Sequence, residues 1–280
     1  MNKLLILFLT FWVFQLPAKV YDCFLFYNEL DLLDIRLAEL NPFVDRFVLV
    51  ESIETFRGNE KPLIFEKNKQ RYAKYLDKII HVVVERIVEN DPWNRETFQR
   101  NAILRGLKAC DKDDIIILSD VDEIVRGSEV PVAVGLLQSH HRGAFAFQQD
   151  FYRWFFNRKD LSQWNGSVIT TYKFFKRESP QGVRNCKDRL PKILNGGWHF
   201  SNFGGLQTFV AKIEAFSHAE ADTPENKNPD NILNWVRSCL TLVSIDNTYP
   251  ADVLERLNYF RSHNFLDLGQ DSLEYSDTDF

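Results

Sequence analysis

From Tyr21 to Tyr27 the chain is mostly apolar with little alternation, the pattern of a strand covered on both faces. The period then changes. Leu30, Leu33, Leu37 and Leu40 recur at helical spacing, Asn28 stands where a cap belongs, Asp31 falls in the first turn, and Asn41-Pro42 ends the run. A strand resumes at Phe47 to Val50, which completes a β-α-β unit. Ile79 to Val84 is β-branched, Asp91-Pro92 opens a helix expected to reach about Cys110, and Ile115 to Leu118 is the next strand. Strands alternating with helices predict an α/β protein on a mostly parallel central sheet, with helices on both faces.

Beyond Gly143 the pattern becomes irregular. Aromatic-rich residues 144–156 and 168–175 read as strands, Gly196-Gly197 and Gly204-Gly205 as turns, and 252–260 as a last helix before an acidic tail. With 280 residues, 45% hydrophobic and 26% charged, the chain suits one large domain. The expected division is an export or anchor segment at 1–18, a catalytic domain at 20–265 and a tail at 266–280. Lys3, the apolar run 4–14 and Gln15-Leu16-Pro17-Ala18 have the layout of an export signal. That run is shorter than the roughly 20 residues that span a bilayer, which favours cleavage over permanent anchoring. The Asn165-Gly166-Ser167 sequon fits a secretory route.

The formal charge of −5 is spread along the chain with no basic block, which argues against nucleic acid as a partner. Cys23, Cys110, Cys186 and Cys239 are too scattered for a zinc site and read as buried thiols, with a Cys186–Cys239 disulfide left open.

The chemistry concentrates where the 115–118 strand runs into Ser119-Asp120-Val121-Asp122-Glu123. So apolar a strand belongs in the centre of the sheet, and acids at its end need compensation. Residues two apart on an extended chain face the same way, so Asp120 and Asp122 can present their oxygens to one point while Val121 faces the protein. In open α/β sheets the ligand crevice lies beyond the carboxyl ends of the strands. Hard oxygen ligands suit Mg²⁺ or Mn²⁺, which neutralise charge on a departing diphosphate. The blander reading is a solvated strand end whose acids cap the next helix. An aspartate-nucleophile phosphohydrolase also places Asp-x-Asp after an apolar strand, but usually at the start of its core. Here a β-α-β unit comes first, and no later paired-acid segment completes such a site.

Several segments together resemble glycosyltransferase family 17, the family of the bisecting N-acetylglucosaminyltransferase acting on the β-linked mannose of N-glycans. They are Tyr21-Asp22-Cys23-Phe24, Asn28-Glu29-Leu30-Asp31-Leu32-Leu33, Val48-Leu49-Val50-Glu51-Ser52, Thr55-Phe56-Arg57-Gly58 and Lys61-Pro62-Leu63. Trp93-Asn94-Arg95-Glu96, Gln99-Arg100-Asn101, residues 119–124, Gly196-Gly197-Trp198-His199-Phe200-Ser201, Lys212-Ile213 and Phe216-Ser217-His218-Ala219-Glu220 continue the series. The resemblance implies a nucleotide-diphospho-sugar transferase fold, UDP-N-acetylglucosamine as donor, inversion at the sugar carbon, a Mn²⁺-type cation and an N-terminal membrane or signal segment. The implied acceptor is a mannose-containing glycan or glycoprotein, although residues 235–246 depart from the family pattern. Since activated sugars reach a Golgi-type lumen, export fits a eukaryotic source; a bacterial source would imply inner-membrane association with a cytoplasmic catalytic domain.

Inverting transfer needs a stabilised leaving diphosphate, an acceptor hydroxyl that loses its proton, and reacting atoms held in line. Asp120 and Asp122 are assigned to the first. Asn28, Glu29 and Glu51, at the ends of the first two strands, fall where a uridine or ribose would lie, although Asn28 and Glu29 equally start a helix. Arg95 and Arg100 suit phosphate, against the plainer Glu96–Arg100 pair four residues apart. Glu220, Asp150 and Glu123 are the candidate general bases, with Glu220 preferred for its place beside His218. His199 is a candidate third metal ligand or a packed ring. Among Trp93, Trp154, Trp164 and Trp198, one or two are expected to stack on sugar rings; aromatics alone would equally suit a secreted carbohydrate-binding protein.

Overall fold

The structure is a computed structural model that describes residues 18–139 and 143–269. The apolar run 4–14 and the acidic stretch 271–279 lie outside the described residues. In the first half, strands β1 (Val20–Leu25), β2 (Arg46–Ser52), β3 (Ile79–Val84) and β4 (Ile115–Asp120) fall where the hydrophobic pattern puts them. They are followed by β5 (Glu123–Val125), β6 (Ala144–Phe147), β7 (Gln149–Arg153), β8 (Arg158–Trp164), β9 (Val168–Thr171), β10 (Lys192–Ile193), β11 (Gly197–Ser201) and β12 (Thr241–Leu242).

Seven strands form the main sheet in the order β10-β6-β9-β4-β1-β2-β3. Only β9 runs against its neighbours, so the sheet is mostly parallel. Alternate side chains feed two cores. Val20, Phe24, Phe47, Leu49, Ile115 and Ile117 meet Leu33, Leu37 and Leu40 of the helix Leu30–Leu40 on one face. Tyr21, Cys23, Val48, Val50, Ile116 and Leu118 meet Ile103, Phe175 and Val183 on the other. The continuous apolar runs follow from this two-sided cover.

Five strands form a second sheet, β12-β8-β7-β11-β5, which the sequence pattern did not separate from the first. Its core is aromatic, with Tyr152, Phe156, Trp198, Phe200 and Phe265 packed against Leu32 and Ile35. The helix Leu30–Leu40 is therefore wedged between the sheets, with Leu33 and Leu37 on one side and Leu32 and Ile35 on the other.

Local chemistry set some boundaries more tightly than periodicity. The Asp91 side chain accepts from the Asn94 N–H at 3.0 Å and caps the helix Pro92–Asn101, which ends well before Cys110. Residues 168–175 are not one strand: Thr171 accepts from Phe174 N–H and turns the chain into the helix Tyr172–Glu178. All four cysteines are free, so the Cys186–Cys239 pairing is not formed. Among the described residues no helix is long and apolar enough to cross a membrane.

Candidate active site

A cavity of about 730 Å³ opens at the carboxyl ends of β1 and β4, a volume typical of small-molecule sites. The chain segments after β1 and β2, the helix Pro92–Asn101 and the β4–β5 turn build one side. Trp164 and His199 of the second sheet, and the segment from Lys212 to His218, build the other. The placement follows from topology: β4 pairs with β1 in the first sheet, β5 pairs with β11 in the second, and the chain changes sheets at Val121-Asp122.

That change of sheet separates the two aspartates. Extended geometry ends at Asp120, and each carboxylate takes its own basic partners while the Asp122 charge still acts on Asp120. Val121 is buried in the core beneath them. Asp120 Oδ1 accepts from Arg100 Nη1 at 2.6 Å and Oδ2 from Arg184 Nη2 at 2.8 Å. Burial works against ionising this carboxyl, but the two guanidiniums bring its pKa down to about 2. Arg100 also meets Glu96 at 2.7 Å, and Arg184 meets both oxygens of Glu123 at 2.7 Å as well as the Gly166 carbonyl. Glu123 further accepts from Trp164 Nε1 at 2.6 Å and from the Asp120 N–H at 2.9 Å, so it is locked into the site wall.

Asp122 belongs to a different cluster. Its Oδ2 lies 3.0 Å from Lys212 Nζ and 3.6 Å from His199 Nε2, and Lys212 lies 3.8 Å from Glu29. Burial opposes ionisation of Asp122 too, yet Lys212 and His199 hold its pKa well below the usual carboxylate range. The Asp122 and Glu29 charges, offset against burial, raise the Lys212 ammonium. His199 is stacked against Phe151 with ring centroids 4.5 Å apart, and its buried Nδ1 has no hydrogen-bond partner among the described residues.

Beneath the turn lies Arg36, fully buried on the helix Leu30–Leu40. It forks onto Asp22 of β1, with Nη2 at 2.5 Å and Nε at 2.8 Å, and donates to Ser119 Oγ at 2.6 Å. Its Nη1 then holds the Asp120 and Glu123 carbonyls at 2.9 and 3.0 Å. An arginine amid helical leucines was the available sequence signal, and it pointed to no partner.

The remaining expected residues divide. Glu29 lines the cavity, whereas Asn28 does not; the helix starts at Leu30, and Glu29, not Asn28, is the residue before it, its carboxylate accepting from the Asn28 N–H at 3.0 Å. Glu51 is fully buried away from the cavity and bonds Phe65 N–H and His81, both at 3.1 Å. Arg95 lies behind the wall, tied to Glu54 at 2.5 Å and to the carbonyls of Ile87 and Glu89. Gly58 lets it close, since a Cβ there would sit 3.0 Å from Arg95 Nη2. Lys61 lines the cavity 3.6 Å from Glu51.

Glu220 does not line the cavity. Its side chain is 71% exposed and bonds His218 at 2.7 Å, which lowers its pKa. Asp150 pairs with Lys159 at 2.8 Å, also outside the cavity. Trp93 and Trp164 line the cavity, whereas Trp154 and Trp198 are core residues. The sequon is packed into the site: Ser167 is buried and donates to the Glu123 carbonyl at 3.1 Å.

Two functions of the family-like segments became visible only in three dimensions. Arg57, after β2, bonds the Ile213 carbonyl at 3.1 Å and Asp222 at 2.8 Å. Ser217 donates to Glu96 at 2.6 Å. Together they hold the 212–218 segment, with Lys212, against the cavity.

Sheet order, helices on both faces and a charged cavity at the strand ends fit a GT-A-like α/β fold. The sequence model of glycosyltransferase family 17 matches residues 7–246, and the chain belongs to that family. The rat and human proteins named beta-1,4-mannosyl-glycoprotein 4-beta-N-acetylglucosaminyltransferase are each 29% identical to it over 119 residues. Those matches cover 39% of this chain and 22% of each relative's length. Among solved structures, S. aureus TarS 1–349 is similar at 12% identity and a TM-score of 0.40, covering 79% of this chain and 72% of that one. Glucosyl-3-phosphoglycerate synthase from Mycobacterium tuberculosis, solved with Mn²⁺, UDP-glucose and phosphoglyceric acid, is similar at 15% identity and a TM-score of 0.38, covering 65% of this chain and 71% of that one.

Proposed function

We propose that this glycosyltransferase moves N-acetylglucosamine from UDP-N-acetylglucosamine to a mannose-containing glycan, with inversion and with a divalent cation. Family membership and the names of the relatives support the donor and acceptor classes. The observation that carries the cation is the Asp122 cluster. Two carboxylates, Asp122 and Glu29, face one ammonium, Lys212, beside His199. This cluster has an excess negative charge and would repel a diphosphate on its own. The residues fit a Mn²⁺ ion better than Mg²⁺: a carboxylate supplies a hard oxygen and an imidazole with an unpaired buried nitrogen a borderline ligand, and phosphate oxygens and water can complete the shell. Among the described residues no three His, Cys, Asp or Glu side chains gather as a protein-only cage.

In this reading Asp122 and His199 hold the cation, which supplies neutralising charge for the departing diphosphate. Lys212 adds a fixed positive charge next to it, and the 212–218 segment excludes water over the donor. Trp93, half exposed in the cavity, offers a stacking face. The acceptor's proton goes to a cavity carboxylate, which excludes Glu220. Asp188 is the cavity acid with the most open side chain, at 68% exposure, and pairs with Lys187 at 3.2 Å, whereas Glu54, Glu96 and Glu123 are each paired with an arginine. A phosphohydrolase would need a free nucleophilic Asp120, and both of its oxygens are engaged. A secretory-pathway location, in a compartment that imports nucleotide sugars, completes the proposal.

The test is UDP release from a panel of nucleotide sugars, with and without Mn²⁺, on wild type and Asp122→Ala. Mn²⁺-dependent turnover of UDP-N-acetylglucosamine, abolished by the substitution, is expected. Turnover indifferent to chelator would remove the cation, and preference for another sugar would remove the donor assignment.

A further inference from the structure

One planar cation outside the cavity is short of partners. Arg36, Arg95, Arg100, Arg158 and Arg184 each donate along more than one N–H to a carboxylate or carbonyl. Arg153, at the end of β7, donates no hydrogen bond to any described residue, and its buried Nε is left without an acceptor. Asp160 Oδ2 stands 3.2 Å from that Nε as a counter-charge, without hydrogen-bond geometry. The central carbon of the guanidinium lies over two rings, 4.4 Å from the centroid of Phe151 and 5.3 Å from that of Trp235. Burial pulls the pKa of Arg153 down, opposed by the Asp160 charge. Enclosed donors are ordinarily satisfied, so the free edge of this fork points to a ligand.

The second sheet sets its position. β7 pairs with β11 so that Phe151 stands opposite His199, and Arg153 opposite Ser201, a cavity residue. Residues two apart share a face, so Arg153 lies on the His199 face, about 7 Å further along the sheet. Trp154 follows with a φ of 68°, a left-handed backbone that bulky side chains rarely take. Its ring is buried with Ile232, Leu233 and Val236 of the helix Pro229–Cys239, and that packing brings Trp235 of the same helix to Arg153. Trp235 remains 38% exposed, and it opens the stretch 235–246 in which the chain departs from the family pattern.

We propose that Arg153, Asp160 and Trp235 form an acceptor subsite for a neutral sugar ring of the glycan, next to the ring that reacts in the cavity. This deepens the acceptor reading above and rests on it. Asp160 Oδ1 is filled by the Ser162 N–H at 2.9 Å and Oγ at 2.6 Å, which leaves Oδ2 to accept and the two Nη groups of Arg153 to donate. Neighbouring sugar hydroxyls supply the matching donors and acceptors, and the apolar face of the ring packs on the exposed indole. The Arg153–Asp160 pair is charge-neutral, so an anionic sugar would meet the Asp160 charge as well as the guanidinium. Arg153 and Trp235 thereby determine acceptor specificity, while bond transfer stays in the cavity.

Acceptor kinetics separate this subsite from the reaction centre. With UDP-N-acetylglucosamine and Mn²⁺ saturating, kcat/KM is measured for methyl mannoside and for mannose-containing di- and trisaccharides on wild type, Arg153→Met and Trp235→Leu. Near-ultraviolet circular dichroism verifies folding. Loss of a hydrogen bond to a charged donor predicts that the preference for the longer acceptors falls about tenfold or more in Arg153→Met, through KM. Trp235→Leu, at a partly exposed position, is expected to lower the same preference. On wild type, saturation-transfer magnetic resonance should place the non-reacting sugar against aromatic protein protons, and added salt should leave its affinity unchanged. A preference unchanged in both folded variants would overturn the inference. So would a wild type that shows no aromatic contact at the non-reacting sugar, a result that needs no variant to fold. Tighter, salt-sensitive binding of an acceptor carrying a uronic acid would overturn the neutral-sugar assignment. Failure of wild type to use any mannose-containing acceptor, with donor binding intact, would instead overturn the acceptor reading and the subsite with it.

Discussion

Replacing Arg36 with Met tests whether the active-site turn is held from below. The substitution keeps most of the side-chain volume but removes the only cation bonded to Asp22 among the described residues and the donor to the Asp120 and Glu123 carbonyls. Arg36 and Asp22 are both 0% exposed, so water cannot replace the lost partner. Breaking a buried pair from one side costs roughly 3–5 kcal/mol, because the other charge is left uncompensated. Against a total stability of about 5–15 kcal/mol this is a large fraction. At roughly 2–4 °C per kcal/mol for a chain of this size, the melting temperature should fall by about 6–20 °C. The double variant Arg36→Met with Asp22→Asn removes the stranded charge and should recover a substantial part of that loss in a thermal melt followed by circular dichroism. Its nucleotide affinity should stay reduced, because the turn carbonyls still lack their donor. A single variant that melts within about 2 °C of wild type, or a double variant no more stable than the single, would refute the argument.

Three further outcomes follow from the same geometry. Gly166→Ala would place a Cβ 2.2 Å from Glu123 Oε1 and 2.4 Å from Trp164 Nε1, so about 1–3 kcal/mol of destabilisation and a marked loss of turnover are expected; unchanged turnover would show that the Trp164–Glu123 contact is dispensable. Glu220→Gln, at an exposed position outside the cavity, should leave kcat within about twofold, and a large loss with an altered pH profile would restore Glu220 as the base. Asp120 has a folded-state pKa of about 2, below its ordinary 3.8, so its contribution is present above the ordinary value and is lost as pH falls through about 2. The stability advantage of wild type over Asp120→Asn should therefore be full at neutral pH and shrink across that window; a difference constant throughout acidification would argue against the ion pairs as its source.

Local pattern carried much of the first half of the molecule. The apolar runs at β1 to β4, the leucine spacing of Leu30–Leu40 and the Asp91-Pro92 cap all act within a few residues, so the sequence states them directly. The strand running into Asp120 and Asp122 marked the site for the same reason, and the family-like segments named the class. What the sequence could not state were partners. Asp120 meets Arg184, 64 residues away, Asp122 meets Lys212, 90 residues away, and Arg36 reaches the turn from 84 residues upstream. A period fixes which face a side chain presents, but not which distant face is packed against it. The second sheet shows the same limit, because β5, β7 and β11 are too short to advertise their pairing, and β5 finds β11 only after the chain has left the first sheet. That crossing at Val121-Asp122 gave the two acids different partners, Arg100 and Arg184 at Asp120 and Lys212 and His199 at Asp122. Sequence fixed the acids' place at the strand end, while tertiary packing decided which charges surround each one.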